Sequence, residues 1–424
     1  MNIPLAYGRG HLDVEFPDER TTVIEPSHQA GLADERAAMV AALDAPVQSA
    51  PLRDFAGQGR RIVIVHTDIT RATPNDRIIP WLLAYLEGAG VKRGDITLLN
   101  GLGTHRPNTR AELEQMLTAE VVANYRCINH EPENEGAMVQ FGVTRTGVPA
   151  LLNRHLAEAD VRIITGFIEP HFFAGFSGGP KGIMPGVAAL KTVMSNHGAK
   201  NIGDRRSTFG VTEGNPIWEE MRDIALRVGP SFLLNVALNE RREITGVFAG
   251  DLLAAHKVGI EFVRASAMQR VEKPFDIVVT TNSGYPLDMN LYQAVKGMRA
   301  ADLIVKDGGT VIIAAECTEG APAGSPHDRL LRSVANGEEL LAKVNAPGFV
   351  APEQWQGHIQ SLIQRRAEIQ IFTAMDDAAV RAAHLVPCRD IAAAIRAKLG
   401  PNPNGQRIAV LPQGPLTIPY LAGK

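Results

Sequence analysis

A chain of 424 residues, 45% hydrophobic and 21% charged, has the make-up of a globular protein of two or three domains, each able to bury its own core. Its 43 basic and 46 acidic residues leave a formal charge of −3 with no basic stripe, which excludes nucleic acid as a partner; an anionic substrate must be met by local cations. Cys127, Cys317 and Cys388 lie far apart in sequence, which excludes a CxxC metal site and a disulfide framework. The N-terminus has no charged-then-apolar leader, and no apolar run reaches the ~18–20 residues of a membrane span. A soluble cytoplasmic protein is expected.

In chain order, the first elements are short strands at Ile3–Gly8 and His11–Phe16, then a helical pattern from Gly31 to Leu43. The β-branched run Arg61–Val65 predicts a strand buried on both faces. The polar loop His66–Asp76 and a helix over Arg77–Ala89 follow it. Asp95–Leu99 predicts the next strand, with a loop over Asn100–Pro107 and a helix over Thr109–Leu117. The alternation recurs with a strand at Val161–Thr165, a glycine-rich segment over Gly166–Gly186 and a helix at Leu190–His197. A hairpin over Phe232–Leu238 and Arg242–Phe248 and a helix over Asp251–Gln269 close this half. Strands at Phe275–Thr280, Gly309–Ala314, Ile369–Thr373 and Arg407–Leu411 mark a second α/β unit. Helices are predicted there over Asn290–Ala301, Arg329–Ala335, Glu338–Val344, Glu353–Arg366 and Asp390–Leu399, and Pro401–Gly405 breaks the chain before its last strand.

Strand–loop–helix alternation of this kind specifies an α/β protein. The reading is two α/β domains with an active-site cleft between them. Residues 1–270 form the N-terminal domain and residues 271–403 a smaller C-terminal one. The tail 404–424 either returns to the first domain or does not; pattern alone leaves this open.

Open α/β sheets bind ligands at the carboxyl ends of their strands, and four polar clusters fall at such places. Asp68, Thr70 and Arg71 follow the first buried strand. A carboxylate, a hydroxyl and a guanidinium there suit a ribose, a phosphate or a substrate carboxylate; the plainer alternative is a helix start capped by Thr70 or Thr73 with Pro74 in the first turn. Gly101-Leu-Gly-Thr-His105-Arg106 puts a histidine beside flexible backbone, though a loop histidine is commonly just solvated. The segment Gly166–Gly186 holds six glycines and three prolines in 21 residues, so it can be no regular helix or strand. It also carries Phe167, Phe172, Phe173 and Phe176 and reads as a packed loop shaped around something. Gly178 and Gly179 precede Pro180 and Lys181; without a GK[ST] step this is no Walker motif, and Lys181 suits a nucleophile or covalent anchor better than a plain turn. Ser195-Asn-His197 ends a helix with an imidazole able to bind a metal. Finally, Tyr292, Gln293 and Lys296 open a helix, with Gln293 and Lys296 on one face, turned either to a cleft or to solvent.

Taken in order, Asp-x-x-Arg, Gly-Thr-His-Arg, His-x9-Lys with Ser-Gly-Gly-Pro-Lys, Ser-Asn-His and Tyr-Gln-x-x-Lys resemble the nickel-pincer lactate racemase family. The resemblance implies a racemase or epimerase of a small 2-hydroxy acid, working by hydride transfer through a 2-keto acid. The implied cofactor is a nickel-pincer nucleotide, a pyridinium mononucleotide with two thio-acyl groups that hold nickel. On this reading Lys181 carries the cofactor covalently, with Asp68, Thr70, Gly178 and Gly179 around it, and His197 completes the nickel coordination. His105 and His171 become the acid–base pair, and Arg71, Tyr292, Gln293 and Lys296 hold the substrate. Phe172, Phe173 and Met298 are candidates for lining a larger pocket and equally for plain core. Two other readings compete: a cofactor carrier without turnover, and a metal-dependent hydrolase using His105, His171 and His197.

Overall fold

The computed structural model describes residues 1–401 and 405–422; the middle of the expected break after Pro401 lies outside the described residues. The chain forms two compact units, each mixed α/β. The first contains His28–His197 and Arg206–Ala265; the second contains Met1–Ser27, Gly198–Arg205 and Ser266–Lys424.

The first unit is built on a six-stranded sheet in the order Ile244–Asp251, Phe232–Leu238, Val161–Phe167, Ile62–Thr67, Ile96–Gly101, Arg126–Asn129. All neighbours are parallel except the hairpin of the first two. Ile62–Val65 are buried on both faces, as a parallel strand with cover on each side requires. The helix Asn75–Gly88 presents Ile78, Ile79, Leu82, Leu83 and Leu86 at three- and four-residue spacing, and they pack with Ile62, Ile64, Leu98 and Ile163 in one core. Strand order reverses between Ile62–Thr67 and Val161–Phe167: later strands run outward from the former on one side and from the latter on the other. That switch point leaves a crevice beyond the carboxyl ends of the two strands.

The second unit has a fully parallel sheet in the order Val386–Cys388, Glu368–Phe372, Val305–Ala314, Phe275–Thr281, Ile408–Leu411, Thr21–Val23. The hairpin Asn2–Tyr7 with Gly10–Glu15 packs Ile3, Leu5 and Val14 against Ile277, Ile312 and Ile395. The N-terminal residues, grouped above with the first domain, therefore belong to the second unit. So does the tail: Ile408–Leu411 is an interior strand of its sheet and Ile418–Leu421 pairs with Met268–Val271. The last of the changes of unit falls at Ser266.

Local differences have local causes. The helix expected over Asp251–Gln269 spans Ala254–Ala267, and the chain then turns directly into the strand Met268–Val271. The glycine-rich segment, expected to hold no strand, contains the two-residue pair Pro170–His171 and Gly175–Phe176. The strand Arg126–Asn129, the hairpin Met138–Val143 with Pro149–Asn153, and the helix Pro216–Leu226 go unannounced in the pattern reading.

Gly297 sits where the helix Leu291–Asp302 crosses the sheet of its unit, and a Cβ there would strike the Thr281 carbonyl oxygen. Alanine would gain about 1 kcal/mol of helix propensity, but the neighbour is fixed backbone, so overpacking by about 1–3 kcal/mol prevails. Gly297→Ala should lower the denaturation midpoint; a raised midpoint would show that the helix can shift freely.

Candidate active site

Asp68 follows the switch-point strand Ile62–Thr67 and is buried at 2% exposure. Its Oδ1 accepts from the Thr70 amide at 2.8 Å and the Thr70 hydroxyl at 2.6 Å. Thr70 thus closes a turn on Asp68 and does not cap a helix; the following helix begins at Asn75 with no side-chain cap. Asp68 Oδ2 lies 3.1 Å from His105 Nδ1 and 3.8 Å from Arg71 Nε. A carboxylate only accepts hydrogen bonds, so His105 donates from Nδ1 and leaves Nε2 for other work. Burial opposes ionisation of Asp68, but the His105 hydrogen bond, the Arg71 charge and the Thr70 hydroxyl outweigh it and hold the carboxyl well below its usual range. His105 is brought in by the loop after the neighbouring strand Ile96–Gly101, which Asn108 ties to Ile69 through its side-chain oxygen at 3.3 Å.

The glycine-rich segment leaves the other switch-point strand. Ser177 binds back to it, donating from its hydroxyl to the Phe167 carbonyl and accepting from the Glu169 amide, both at 2.9 Å. Gly178 and Gly179 then take φ of +74° and +54°, a region that favours glycine. Space demands glycine as well: a Cβ on Gly178 would meet Asn235 Oδ1, and one on Gly179 the His256 ring. Asn235 accepts from the Gly179 amide at 2.8 Å, and His256 donates from Nε2 to the Ser177 carbonyl at 2.8 Å. Burial pushes the His256 imidazole down to about 4 despite that bond. Gly179–Gly182 forms a single tight turn that presents Lys181, whose Nζ lies 3.3 Å from His171 Nε2. His171 Nδ1 accepts from the Ala174 amide at 3.2 Å.

His197 ends the helix Leu190–Asn196 and is 5% exposed. Burial, and then the Lys181 charge, push its imidazole down to about 3, so it is neutral near pH 7. Phe173 stands edge-on between the two histidine rings, 4.6 Å from His171 and 5.0 Å from His197. Phe172 and Phe173 are both buried, and neither lines the cavity beside them.

That cavity, about 100 Å³, lies at the switch point and is lined by Thr67, Arg71, Gly101, Glu169, His171 and Lys181 among others. A larger one of about 280 Å³ in the second unit, lined by Cys317, Asp328, Arg332 and Asp376, contains none of the predicted residues. The switch-point cavity is the stronger candidate because the convergent cations and histidines surround it, whatever its size. In the first unit the structure thus gathers Asp68, Thr70, Arg71, His105, His171, Gly178, Gly179, Lys181 and His197. Tyr292, Gln293 and Lys296 lie on the helix Leu291–Asp302 of the second unit. There Tyr292 Oη accepts from Trp355 Nε1 at 3.1 Å, while Gln293 Oε1 is buried with no hydrogen-bond partner among the described residues. Met298 is core.

Sequence reasoning missed Glu169, Asn235 and His256. Asn235 was findable: a lone amide in the otherwise apolar run Phe232–Leu238 has to answer a specific polar neighbour. Among the described residues no three His, Cys, Asp or Glu side chains converge on a metal position, so joint ligation by His105, His171 and His197 is not assembled. Nor is any described helix long and apolar enough to cross a membrane.

A switch-point crevice with glycine backbone for a wall and two histidines, a lysine and a guanidinium around it defines an α/β enzyme for small anionic molecules. Sequence comparison narrows the class. The pattern of the lactate racemase N-terminal domain matches residues 7–210 and that of the lactate racemase C-terminal domain residues 271–418. Lactate racemases of Thermoanaerobacterium thermosaccharolyticum and Lactiplantibacillus plantarum are each 33% identical to this chain, covering 97% of it and 98% of their own length. The chain belongs to the lactate racemase family. The lactate racemase apoprotein structure from T. thermosaccharolyticum superposes with a TM-score of 0.92, over 99% of this chain and 100% of that one. A Thermotoga maritima protein at 19% identity shares the fold, with a TM-score of 0.69 over 93% of this chain and all of its own.

The buried histidines carry a pH signature. His256 titrates near 4 in the folded chain and near 6.5 unfolded. The unfolded state therefore takes up the proton first, and the histidine's contribution, complete above pH 6.5, is lost as pH falls toward 4. Linkage makes this about 2 kcal/mol between pH 7 and 5. His256→Gln should be less stable at pH 7 yet have a shallower decline over that range in urea denaturation. Parallel curves for the two proteins would contradict the assignment.

Proposed function

We propose that this chain racemises lactate or a closely similar 2-hydroxy acid by hydride transfer to a nickel-pincer nucleotide joined to Lys181. The observation that carries the reading is the position of Lys181, presented by a glycine turn into the switch-point cavity 3.3 Å from His171. The names of the two relatives support lactate as the substrate.

The residues present fit such a cofactor. Gly178 and Gly179 give a wall where any side chain would collide, Lys181 supplies an amine for a thioamide bond, and His197 is a neutral imidazole, the form in which histidine binds metal. When bound, the cofactor supplies a hydride acceptor and donor for the substrate α-carbon.

The protein's part follows from its own groups. The α-hydrogen is poorly acidic beside an ionised carboxylate, so leaving as hydride avoids a carbanion. Arg71 grips the carboxylate and holds the planar 2-keto acid while its faces exchange. His105 Nε2, with Nδ1 committed to Asp68, takes the hydroxyl proton on one side. His171, whose Nε2 stands beside Lys181, is the acid–base partner on the other once Nδ1 releases the Ala174 amide and takes the ring hydrogen. Inversion needs a base for each face, and this pair distinguishes a racemase from a carrier without turnover, which would need neither.

Two measurements test the reading. After reconstitution, the intact mass of the wild-type protein should rise by one cofactor and that of Lys181→Ala should not; equal gains would remove Lys181 as the anchor. His105→Asn and His171→Asn should each lower racemisation by about 10²–10⁴-fold with nickel still bound, and wild-type turnover in either would refute its role.

A further inference from the structure

We infer that Glu220 is a positioning residue for the nickel ligand, acting through Asn196 to set which nitrogen of His197 carries the proton. The inference rests on His197 as that ligand. Glu220 lies on the helix Pro216–Leu226 and is 2% exposed, an unusual place for a carboxylate. Its Oε1 accepts from the Arg145 amide at 2.5 Å and its Oε2 from Asn196 Nδ2 at 2.8 Å. Asn196 is fully buried, and its Nδ2 also donates to the Ile217 carbonyl at 3.2 Å. Its Oδ1 lies 3.0 Å from His197 Nδ1.

The donor and acceptor roles along this chain of contacts are forced. Glu220 and the Ile217 carbonyl only accept, so the amide nitrogen of Asn196 must face them. A flipped amide would set its oxygen against two other oxygens in a buried site. Asn196 Oδ1 therefore faces His197, and because it cannot donate, Nδ1 holds the ring hydrogen. A neutral imidazole with its hydrogen on Nδ1 carries its acceptor lone pair on Nε2, the form a metal needs. A carboxylate behind a ligand histidine both orients the ring and raises its basicity; here the amide of Asn196 stands between them and transmits the effect.

The test uses full-length protein with nitrogen-15 histidine and long-range proton–nitrogen spectra of the cofactor-free form. Wild type should show His197 as the Nδ1–H tautomer alone, and Glu220→Gln, which frees the amide to turn, should add the Nε2–H form. In the loaded holoenzyme, Glu220→Gln should release nickel to a chelator about 10–100-fold faster. It should add nothing further in an Asn196→Ala background, as a relay requires and a merely structural glutamate does not. Should Glu220→Gln fail to fold, Asn196→Ala removes the same relay while leaving the Arg145 contact. An Nε2–H tautomer in wild type, or equal nickel release by wild type and both variants, would overturn the inference. A wild type with the Nδ1–H tautomer that never takes up nickel would instead overturn the cofactor reading.

Discussion

The backbone of Gly178 and Gly179 runs so close to Asn235 and His256 that no side chain fits between them, and the position of Lys181 depends on that approach. Two buried polar groups, an amide and an imidazole, are satisfied by the Gly179 amide and the Ser177 carbonyl. Left unpaired, each would cost about 1–3 kcal/mol, so the turn is held from behind as well as shaped by its own conformation. Ser177 ties the same turn to the strand Val161–Phe167. The lysine thus inherits its place from a central strand of the sheet, through a loop with little freedom to move.

Burial divides the histidines of the first unit into two kinds. His66, His197 and His256 are buried and pushed down to between about 3 and 4; near pH 7 they are neutral. His105 is different. Its ring is committed to the Asp68 carboxylate and its side chain is 37% exposed. The same ionised carboxylate draws in Arg71 and the Thr70 hydroxyl. One buried negative charge therefore arranges a histidine, a cation and a turn at once. In a chain with a formal charge of −3, attraction for an anionic substrate has to arise from such local arrangement.

Much of this was legible in the residues. The run Arg61–Val65 announces a doubly covered strand, and Ile78 to Leu86 announce the helix beside it. The rule that ligands sit at carboxyl strand ends then leads to Asp68, His105 and the glycine-rich segment without a structure. What escaped was what depends on partners remote in sequence. Thr21–Val23 is a strand only because Ile408–Leu411 lies beside it, and nothing in three residues announces that. The hairpin Met138–Val143 with Pro149–Asn153 has too little apolar alternation to stand out. Glu220 looks like any glutamate of an amphipathic helix until Asn196 and Arg145 are seen to face it. The helix Pro216–Leu226 was passed over although Asn215 as its cap and proline in its first turn gave it a local signal.

In the function proposed, a glycine-lined cradle holds a hydride acceptor between two proton carriers. The most direct trial is racemisation of a substrate deuterated at its α-carbon, with the label followed by mass spectrometry. Hydride transfer within a closed site predicts that the product of inversion keeps its deuterium. Loss of the label to solvent at the rate of inversion would mean that the α-hydrogen leaves as a proton, and would contradict the account.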